Sequence, residues 1–209
     1  MSSTLTVSLA LLASYLIGSI PTSFVCAKVT KGIDIRQHGS RNVGATNVLR
    51  VVGKVPALLV LIIDILKGVF AVTIVATYFH PYIKNLDYGL YRAILGLAAI
   101  CGHIWPVFLK FKGGKGVATT IGVIMIIAPV ILLPSLIAWL IVFLATKYVS
   151  LASLVLGASF PISAAILSQP YYIVVFAVTI CILNCYKHKD NIRRLLRGEE
   201  SKTIIFRSS

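Results

Sequence analysis

Long apolar runs separated by short polar segments dominate this sequence. The first run, from Leu5 to Ala27, is nearly uninterrupted and long enough to cross a membrane core about 30 Å thick. Apolar residues make up 58% of the chain, whereas charged residues make up only 12%. A soluble domain carries about 25% charged residues, and a disordered chain lacks this much hydrophobicity. The sequence therefore predicts an all-α integral membrane protein.

Basic residues predict the orientation of the spans. No Lys or Arg precedes the first run, but Lys28 and Lys31 follow it directly, which is the reverse of a cleaved signal peptide. The positive-inside rule then places the N-terminus outside and the basic segment 28–54 in the cytoplasm. Two further apolar runs, Val55–Phe79 and Leu90–Phe108, return the chain to the cytoplasmic side.

The run from Val117 to Thr146 is ambiguous, because it could form one long helix or two short, tilted spans. Pro129 and Pro134 favour two spans, since a helix cannot continue normally through proline. Residues 148–186 then form a hairpin that turns at 168–170. The prediction is seven transmembrane helices in a single membrane-embedded domain, 1–209, with the N-terminus outside and the C-terminus inside. Of the 20 Lys and Arg, 17 then face the cytoplasm, nearly all in the segments 28–54, 109–117 and 187–209.

The charge balance limits the classes of partner and chemistry. The formal net charge is +14, with only six Asp and Glu, which suits nucleic acid, anionic lipid head groups or phosphorylated substrates. Nucleic acid is not expected, because the basic residues lie at span ends and not in a separate domain. Few acids argue against a two-metal site, and the four Cys lie in apolar runs without a CxxC motif. We therefore expect no metal and no cofactor.

The segment 39–50 is the first polar motif. Gly39 and Gly44 allow backbone amides to approach an anion closely, because no Cβ stands in the way. Arg50 can hold a phosphate through two parallel hydrogen bonds. Neutral donors come from the side chains of Ser40, Asn42, Thr46 and Asn47. An ordinary solvated loop is the alternative, but this density of polar residues around two glycines favours an anion site.

The segment 102–119 is the second motif. Its stretch Lys112-Gly113-Gly114-Lys115-Gly116 is not a Walker A motif, because Gly follows the Lys where Ser or Thr is needed. It predicts instead a Lys-Gly loop that opens a helix at Val117, whose N-terminal amides favour an anion. Contact with lipid phosphates is the alternative. His103 and Trp105 are equally compatible with a site role and with interfacial anchoring.

Two other polar groups stand out. In the tail, Ile192, Leu195 and Leu196 predict an amphipathic helix, on which His188, Asn191 and Arg194 would share one face. Asp64 and Lys67 lie inside the second apolar run, where each charge costs about 3 kcal/mol, so we expect a structural ion pair between them. Cys181, Cys185 and His188 have helical spacing, but a metal site there is not favoured.

Together, these motifs resemble one family. The pattern Ser40-x-Asn42-x-Gly44-Ala45-Thr46-Asn47-x-x-Arg50, followed by Gly102-His103-x-Trp105-Pro106 and Phe111-Lys112-Gly113-Gly114-Lys115-Gly116, resembles the bacterial acyl-phosphate-dependent glycerol-3-phosphate acyltransferases, the PlsY family. The tail Asn191-x-x-Arg194-Leu195 with Gly198-x-Glu200 is similar to the third motif of the family. The resemblance covers about residues 18–200. Arg41 departs from it, because the family commonly has a small residue there.

The resemblance implies an enzyme of phospholipid biosynthesis, a multi-pass protein of the cytoplasmic (inner) membrane with its active site facing the cytoplasm. It would transfer a fatty acyl group from acyl phosphate to the sn-1 hydroxyl of glycerol 3-phosphate, giving lysophosphatidic acid and phosphate. Membrane lipids and the enzyme that forms acyl phosphate are the other expected partners. The implied catalytic residues are Ser40, Asn42, Lys115, His188 and Asn191. The implied substrate-binding residues are Gly39, Gly44, Thr46, Asn47, Arg50, Lys112, Gly113, Gly114, Gly116, Ser150 and Glu200.

Several alternatives stay open at this point. The acyl donor could be acyl-CoA or acyl carrier protein, and a phosphate or organic-anion transporter would also carry basic glycine-rich segments. A transporter, however, places its ligand groups near the membrane midplane, whereas these motifs cluster at one face. No His of the sequence is followed by four residues and then Asp, so the His–Asp pair of other acyltransferases is absent. Either His188 or the departing phosphate could accept the proton of the attacking hydroxyl.

Overall fold

A computed structural model describes residues 2–203, and every regular element within that range is helical. The α-helices in chain order are α1 (Ser3–Ser19), α2 (Thr22–Lys31), α3 (Ala45–Val51), α4 (Lys54–Phe70), α5 (Ala76–Phe79), α6 (Tyr88–Ile104), α7 (Val117–Ile127), α8 (Pro129–Thr146), α9 (Val149–Ile166), α10 (Tyr171–Lys187) and α11 (Lys189–Leu196). Short 3-10 helices lie at Ile35–Gln37, His80–Tyr82 and Val107–Leu109, and a π-helical stretch, Ala71–Val75, joins α4 to α5.

The chain forms two compact units, Met1–Ile127 and Ala128–Ser209. The boundary falls where α7 ends and α8 begins at Pro129, a position at which proline costs no hydrogen bond. The predicted break at Pro129 is therefore confirmed. The predicted break at Pro134 is wrong, since Pro134 lies inside α8. Proline removes only its own N–H from the helical ladder, and membrane helices tolerate this loss when the freed carbonyl is satisfied locally.

The apolar helices confirm an all-helical integral membrane protein. Within residues 2–203, five helical segments are long and apolar enough to span a membrane, and α10 with α11, bent by 61°, would form a sixth. These five are Ser3–Lys31, Lys54–Tyr82, Tyr88–Leu109, Pro129–Thr146 and Val149–Ile166. Helix α7 is apolar but has only 11 residues. The count of seven spans and their orientation stay predictions.

Glycines let the helices of the first unit pack backbone against backbone. A Cβ on Gly18 of α1 would collide with the main chain of Ala99 on α6, and a Cβ on Gly102 would collide with the carbonyl of Tyr15. In the same way, Gly122 of α7 lies directly against the backbone of α4. Close approach through small residues is the usual way for helices to associate in a membrane, where no hydrophobic force acts between them.

The first predicted apolar run is interrupted in the structure. Helix α1 ends at Ser19, and α2 begins at Thr22, after the non-helical Ile20 and Pro21. Pro21 has no N–H to donate to the preceding turn, and its own carbonyl accepts from Val25 at 2.9 Å as the new helix starts. The break leaves the carbonyl of Ile20 and the hydroxyl of Thr22 available to groups on other helices.

The second unit is held together by contacts of α9 with α8 and α10. Asn184 of α10 donates a 2.8 Å hydrogen bond from Nδ2 to the carbonyl of Ser153 on α9. The predicted turn at 168–170 is confirmed between α9 and α10. After α11 the chain returns to the start of α9, where the amide of Thr203 donates to the carbonyl of Lys147 at 2.9 Å. Residues 204–209, which include Arg207 of the predicted basic tail, lie outside the described residues.

Candidate functional site

Asn47 shapes the first polar loop from inside. Its side chain is fully buried, and Oδ1 accepts a 2.9 Å hydrogen bond from the amide of Ser40. Its Nδ2 lies 3.3 Å from the carbonyl oxygen of Ile35 and 3.0 Å from those of His38 and Asn42. One amide side chain thus ties the two ends of the loop together. The structure places Asn47 in the loop scaffold, while Ser40 stays exposed beside it.

Gly39 is required by this arrangement. Its φ of +58° is left-handed, and a Cβ would collide with Oδ1 of Asn47. Arg41, which departs from the family pattern, also has a φ of +58°. Arg50 follows Asn47 by one turn of α3 and is exposed. Ser40 in the loop and Arg50 on α3 are therefore both exposed, while Asn47 holds the loop backbone in place.

An ion pair supports the entry to this loop. Nη2 of Arg36 lies 2.7 Å from Oδ2 of Asp34, and its guanidinium lies over the ring of Phe24, 5.0 Å from the centroid. The hydrogen bond from Arg36 holds the pKa of the Asp34 carboxyl below its ordinary value. Both side chains are partly exposed, so the pair shapes the loop more than it stabilises the protein.

The Lys-Gly loop contacts the first polar loop at Gly114. A Cβ on Gly114 would collide with the carbonyl oxygen of Val43 and with Nε2 of His103, so both residues lie directly against Gly114. The amide of Gly114 also donates a 3.1 Å hydrogen bond to the carbonyl of His103. A Cβ on Gly113 would collide with that same carbonyl and with Pro106. The structure thus brings two of the predicted motifs together in the first unit.

The predicted helix start after this loop is confirmed. Helix α7 begins at Val117, directly after Gly116, whose φ of +80° is left-handed. Lys115 is half-buried at this start, whereas Lys112 is exposed. The N-terminus of an α-helix offers unpaired amides and a partial positive charge to an anion. A lysine beside it strengthens the preference for a phosphate.

In the second unit, the carboxylate of Glu200 accepts hydrogen bonds from three side chains. Its Oε1 accepts from the hydroxyl of Ser150 at 2.8 Å and from Nδ2 of Asn191 at 2.6 Å. Its Oε2 accepts from Nε of Arg194 at 2.7 Å. Ser150, Asn191 and Glu200 are all buried. The structure therefore assembles α9, α11 and the returning chain around a single acid.

The three donors change how Glu200 titrates. Burial raises the pKa of its carboxyl, but the hydrogen bonds from Ser150, Asn191 and Arg194 more than offset this and hold the pKa below its ordinary value. Glu200 is therefore an anion at neutral pH. An ionised carboxylate fixes the hydroxyl of Ser150 and the amide of Asn191 as donors toward it.

His188 lies at the bend between α10 and α11 and is buried. Its Nδ1 is 2.9 Å from the carbonyl oxygen of Asn184. Because a carbonyl can only accept a hydrogen bond, Nδ1 carries the hydrogen. In the neutral imidazole, Nε2 is then the basic nitrogen.

Comparison with known proteins decides the family. The family model for glycerol-3-phosphate acyltransferase matches residues 8–198. A glycerol-3-phosphate acyltransferase of Desulforamulus reducens is 42% identical over 200 residues, covering 95% of this chain and 96% of the relative. One from Prochlorococcus marinus is 46% identical over 198 residues, covering 93% and 96%. The chain belongs to the glycerol-3-phosphate acyltransferase family.

Solved acyltransferase structures share the fold. A crystal structure of PlsY, an integral membrane glycerol 3-phosphate acyltransferase in its glycerol 3-phosphate form, superposes with a TM-score of 0.85. It is 40% identical, and the match covers 95% of this chain and 96% of that chain. The lysophosphatidic acid form superposes with a TM-score of 0.83 at 39% identity, covering 95% of each chain. The resemblance to the PlsY family inferred from the motifs is confirmed.

For some residues of this acyltransferase family member, the structure reveals contacts that the sequence did not indicate. Arg194 joins the Glu200 cluster, and His103, whose sequence context was undecided, lies against the Lys-Gly loop. Asn184 belongs to none of the motifs, although an amide inside an apolar helix is a usable signal. Among residues 2–203, no group of three or more His, Cys, Asp or Glu side chains is placed to hold a metal ion.

Proposed function

We propose that this protein transfers a fatty acyl group from acyl phosphate to the sn-1 hydroxyl of glycerol 3-phosphate, giving lysophosphatidic acid and phosphate. The observation that carries the proposal is the contact of the two glycine-containing polar loops at Gly114 and Val43. The contact sets two anion-binding segments side by side, as a transfer between two phosphorylated substrates needs. The solved relatives contain glycerol 3-phosphate in one form and lysophosphatidic acid in the other.

We assign the acyl phosphate to Lys115, Lys112 and the amides of Gly113 and Gly116, with Gly114 holding the loop against His103. The glycerol phosphate is assigned to Arg50, with the side chains of Ser40, Asn42 and Thr46 as neutral donors. Gly39 and Gly44 leave room for the substrate to approach the loop closely. Asn47 keeps this loop in shape. Ser150 and Asn191 each donate a hydrogen bond to Glu200, which fixes the orientation of both side chains.

The reaction needs little covalent help from the protein, because acyl phosphate is already activated. The sn-1 hydroxyl oxygen attacks the acyl carbon, and a new C–O bond forms. The bond from the acyl carbon to the bridging oxygen of the phosphate breaks, and phosphate leaves with the electron pair. Positive groups and backbone amides stabilise the negative charge that develops on the acyl oxygen and on the departing phosphate. The hydroxyl proton passes to Nε2 of His188 or to the departing phosphate.

The proposed topology has seven spans, the N-terminus outside and the polar loops facing the cytoplasm, in the cytoplasmic (inner) membrane. Its support is the placing of 17 of the 20 Lys and Arg on one side. Helix α7 is the short span of this scheme. Labelling of single cysteines from either side tests it: a cysteine at position 110 and one at 84 should react from opposite sides. Reaction of both from the same side would contradict it.

A comparison of donors tests the proposed reaction. Purified protein receives labelled glycerol 3-phosphate with acyl phosphate, acyl-CoA or acyl carrier protein carrying the same chain. Acyl phosphate should give labelled lysophosphatidic acid at a rate at least about a hundredfold above the other two donors. Comparable turnover of acyl-CoA or acyl carrier protein would replace the proposed donor. Transport of glycerol 3-phosphate into vesicles without acylation would reject the enzyme.

A further inference from the structure

A buried polar cluster below the Lys-Gly loop has no part in the proposed reaction. Nζ of Lys67 lies 2.7 Å from Oδ1 of Asp64, and the side chains are 4% and 2% exposed. The predicted ion pair between them is therefore confirmed. Thr22 donates a 2.5 Å hydrogen bond from Oγ1 to the same oxygen of Asp64. Lys67 also donates to Oγ1 of Thr22 at 3.1 Å and to the carbonyl of Ile20.

This cluster is more elaborate than a structural pair needs. A pair on one helix could be satisfied by its two members, but here α4 is joined to the break between α1 and α2. A third segment also converges on it, because Nδ1 of His103, near the end of α6, lies 3.7 Å from Oδ1 of Asp64. Two buried charges cost much desolvation and seldom add net stability. Their use in fixing the arrangement of the three segments is therefore the hypothesis to test.

His103 connects the cluster to the Lys-Gly loop. Its Nδ1 side faces Asp64, its Nε2 lies against Gly114, and its carbonyl accepts from the amide of Gly114. A small cleft lies between the polar cluster and the Lys-Gly loop. Its lining includes Thr22, Lys67, His103, Gly113 and Gly114. A rotation of the imidazole would push directly on Gly114, because no space for a Cβ exists there.

We infer that Asp64 is a positioning residue of the acyltransferase, which acts through His103 to hold the Lys-Gly loop in its substrate-binding shape. Lys67 and Thr22 fix the carboxylate, the carboxylate fixes the imidazole, and the imidazole supports Gly114. This inference rests on the proposed function, in which the loop binds acyl phosphate. Replacing Asp64 should therefore weaken the binding of acyl phosphate more than the binding of glycerol 3-phosphate.

The test uses variants of the full chain that remain folded. Removing Lys67 alone would leave a buried charge, so the main variant is the double substitution Asp64→Asn with Lys67→Met, which removes both charges at nearly constant volume. His103→Gln keeps a nitrogen near the Nε2 position but loses the one facing Asp64. Asp87→Asn is the matched control, because Asp87 caps the other end of α6 and Asn also caps helices well.

The double variant should raise KM for acyl phosphate about tenfold, while KM for glycerol 3-phosphate changes less than about twofold. Amide hydrogen exchange of residues 112–116 should accelerate by a similar factor, with residues 88–95 unchanged. In the His103→Gln background, the same double substitution should raise KM for acyl phosphate little further, since both changes remove the contact between Asp64 and His103. Asp87→Asn should match the parent in every measurement.

Two results would overturn the inference. The first is a parental KM and parental loop exchange in the double variant, with only a lower thermal midpoint, as a structural pair would give. The second is an undiminished effect in the His103→Gln background. Failure of the proposed function looks different, because the parent itself would then not use acyl phosphate. The exchange of residues 112–116 and KM for the donor that it does use would still test the role of Asp64.

Discussion

The hydroxyl of Ser150 donates a 2.8 Å hydrogen bond to Oε1 of Glu200, fifty positions further along the chain. The same oxygen accepts from Asn191, and Arg194 binds the other one. Hydrogen bonds to a charged acceptor contribute about 1.5–3 kcal/mol each, more than those between neutral groups. Glu200 is therefore the group that fixes the direction of its three donors, Ser150, Asn191 and Arg194.

Replacing Glu200 by Gln should lower both stability and activity. Gln offers one acceptor oxygen but turns an NH2 group toward a donor, so either Arg194 or the Ser150–Asn191 pair loses its partner. We expect a loss of about 2 kcal/mol in the free energy of unfolding and a fall in kcat/KM of at least about tenfold. Thermal melts and steady-state kinetics measure both. The control is Glu199→Gln at the exposed neighbouring position, and equal behaviour of the two variants would show that the cluster has no such role.

The lowered pKa of Glu200 predicts how stability depends on acidity. A carboxyl whose pKa is lower in the folded protein than in the unfolded chain adds stability above its ordinary pKa of about 4.5. That contribution is lost as the pH falls through the lowered value. The thermal midpoint of the parent should therefore drop more steeply below about pH 5 than that of the Glu200→Gln variant. Parallel curves for the two proteins would contradict the prediction.

Gly114→Ala should damage the loop contact without unfolding the protein. The added methyl would occupy the space of the Val43 carbonyl and of Nε2 of His103. Overpacking of this kind costs about 1–3 kcal/mol, but a loop shift of about 1 Å can cost a hundredfold in rate. We expect kcat/KM to fall about a hundredfold with a small change in melting. The control is Gly32→Asn, at a left-handed position with open space, which should leave kcat/KM nearly unchanged. An equal fall in kcat/KM in this control would contradict the prediction.

His188→Ala separates the two routes for the proton. If Nε2 accepts the hydroxyl proton, kcat should fall by about 10²–10⁴ and the acidic limb of the rate profile should disappear. The measurement is kcat against pH for the parent and the variant. Near-parental turnover with an unchanged pH profile would assign the proton to the departing phosphate instead.

The sequence predicted the helices and the motif loops well, because both depend on local patterns. Apolar runs mark the helices, Pro129 marks the division of the chain, and the glycines before Val117 mark a helix start. The predicted break at Pro134 is wrong, since a proline inside an apolar run can either end a helix or lie within it. The break at Pro21 was hidden in a run that is apolar on both sides.

The less predictable features depend on contacts between distant segments. Nothing local distinguishes Asn47 as a scaffold from Asn47 as a ligand, because an amide can serve either purpose until its partners are known. The bond between Ser150 and Glu200 joins positions too far apart in the chain for spacing to indicate it. In the same way, the contact of His103 with Gly114 follows from the path of the loop and not from the motif.

The central claim is tested most directly by the stoichiometry of the reaction. Purified protein is given acyl phosphate and labelled glycerol 3-phosphate, and phosphate and lysophosphatidic acid are counted together. We predict equal amounts of the two products, formed only when both substrates are present. Lys115→Gln should lose at least about tenfold in rate. Lys110→Asn, an exposed lysine of the same loop at a left-handed position that Asn accepts, should not. Phosphate release without glycerol 3-phosphate, or lysophosphatidic acid formed without phosphate, would contradict the account.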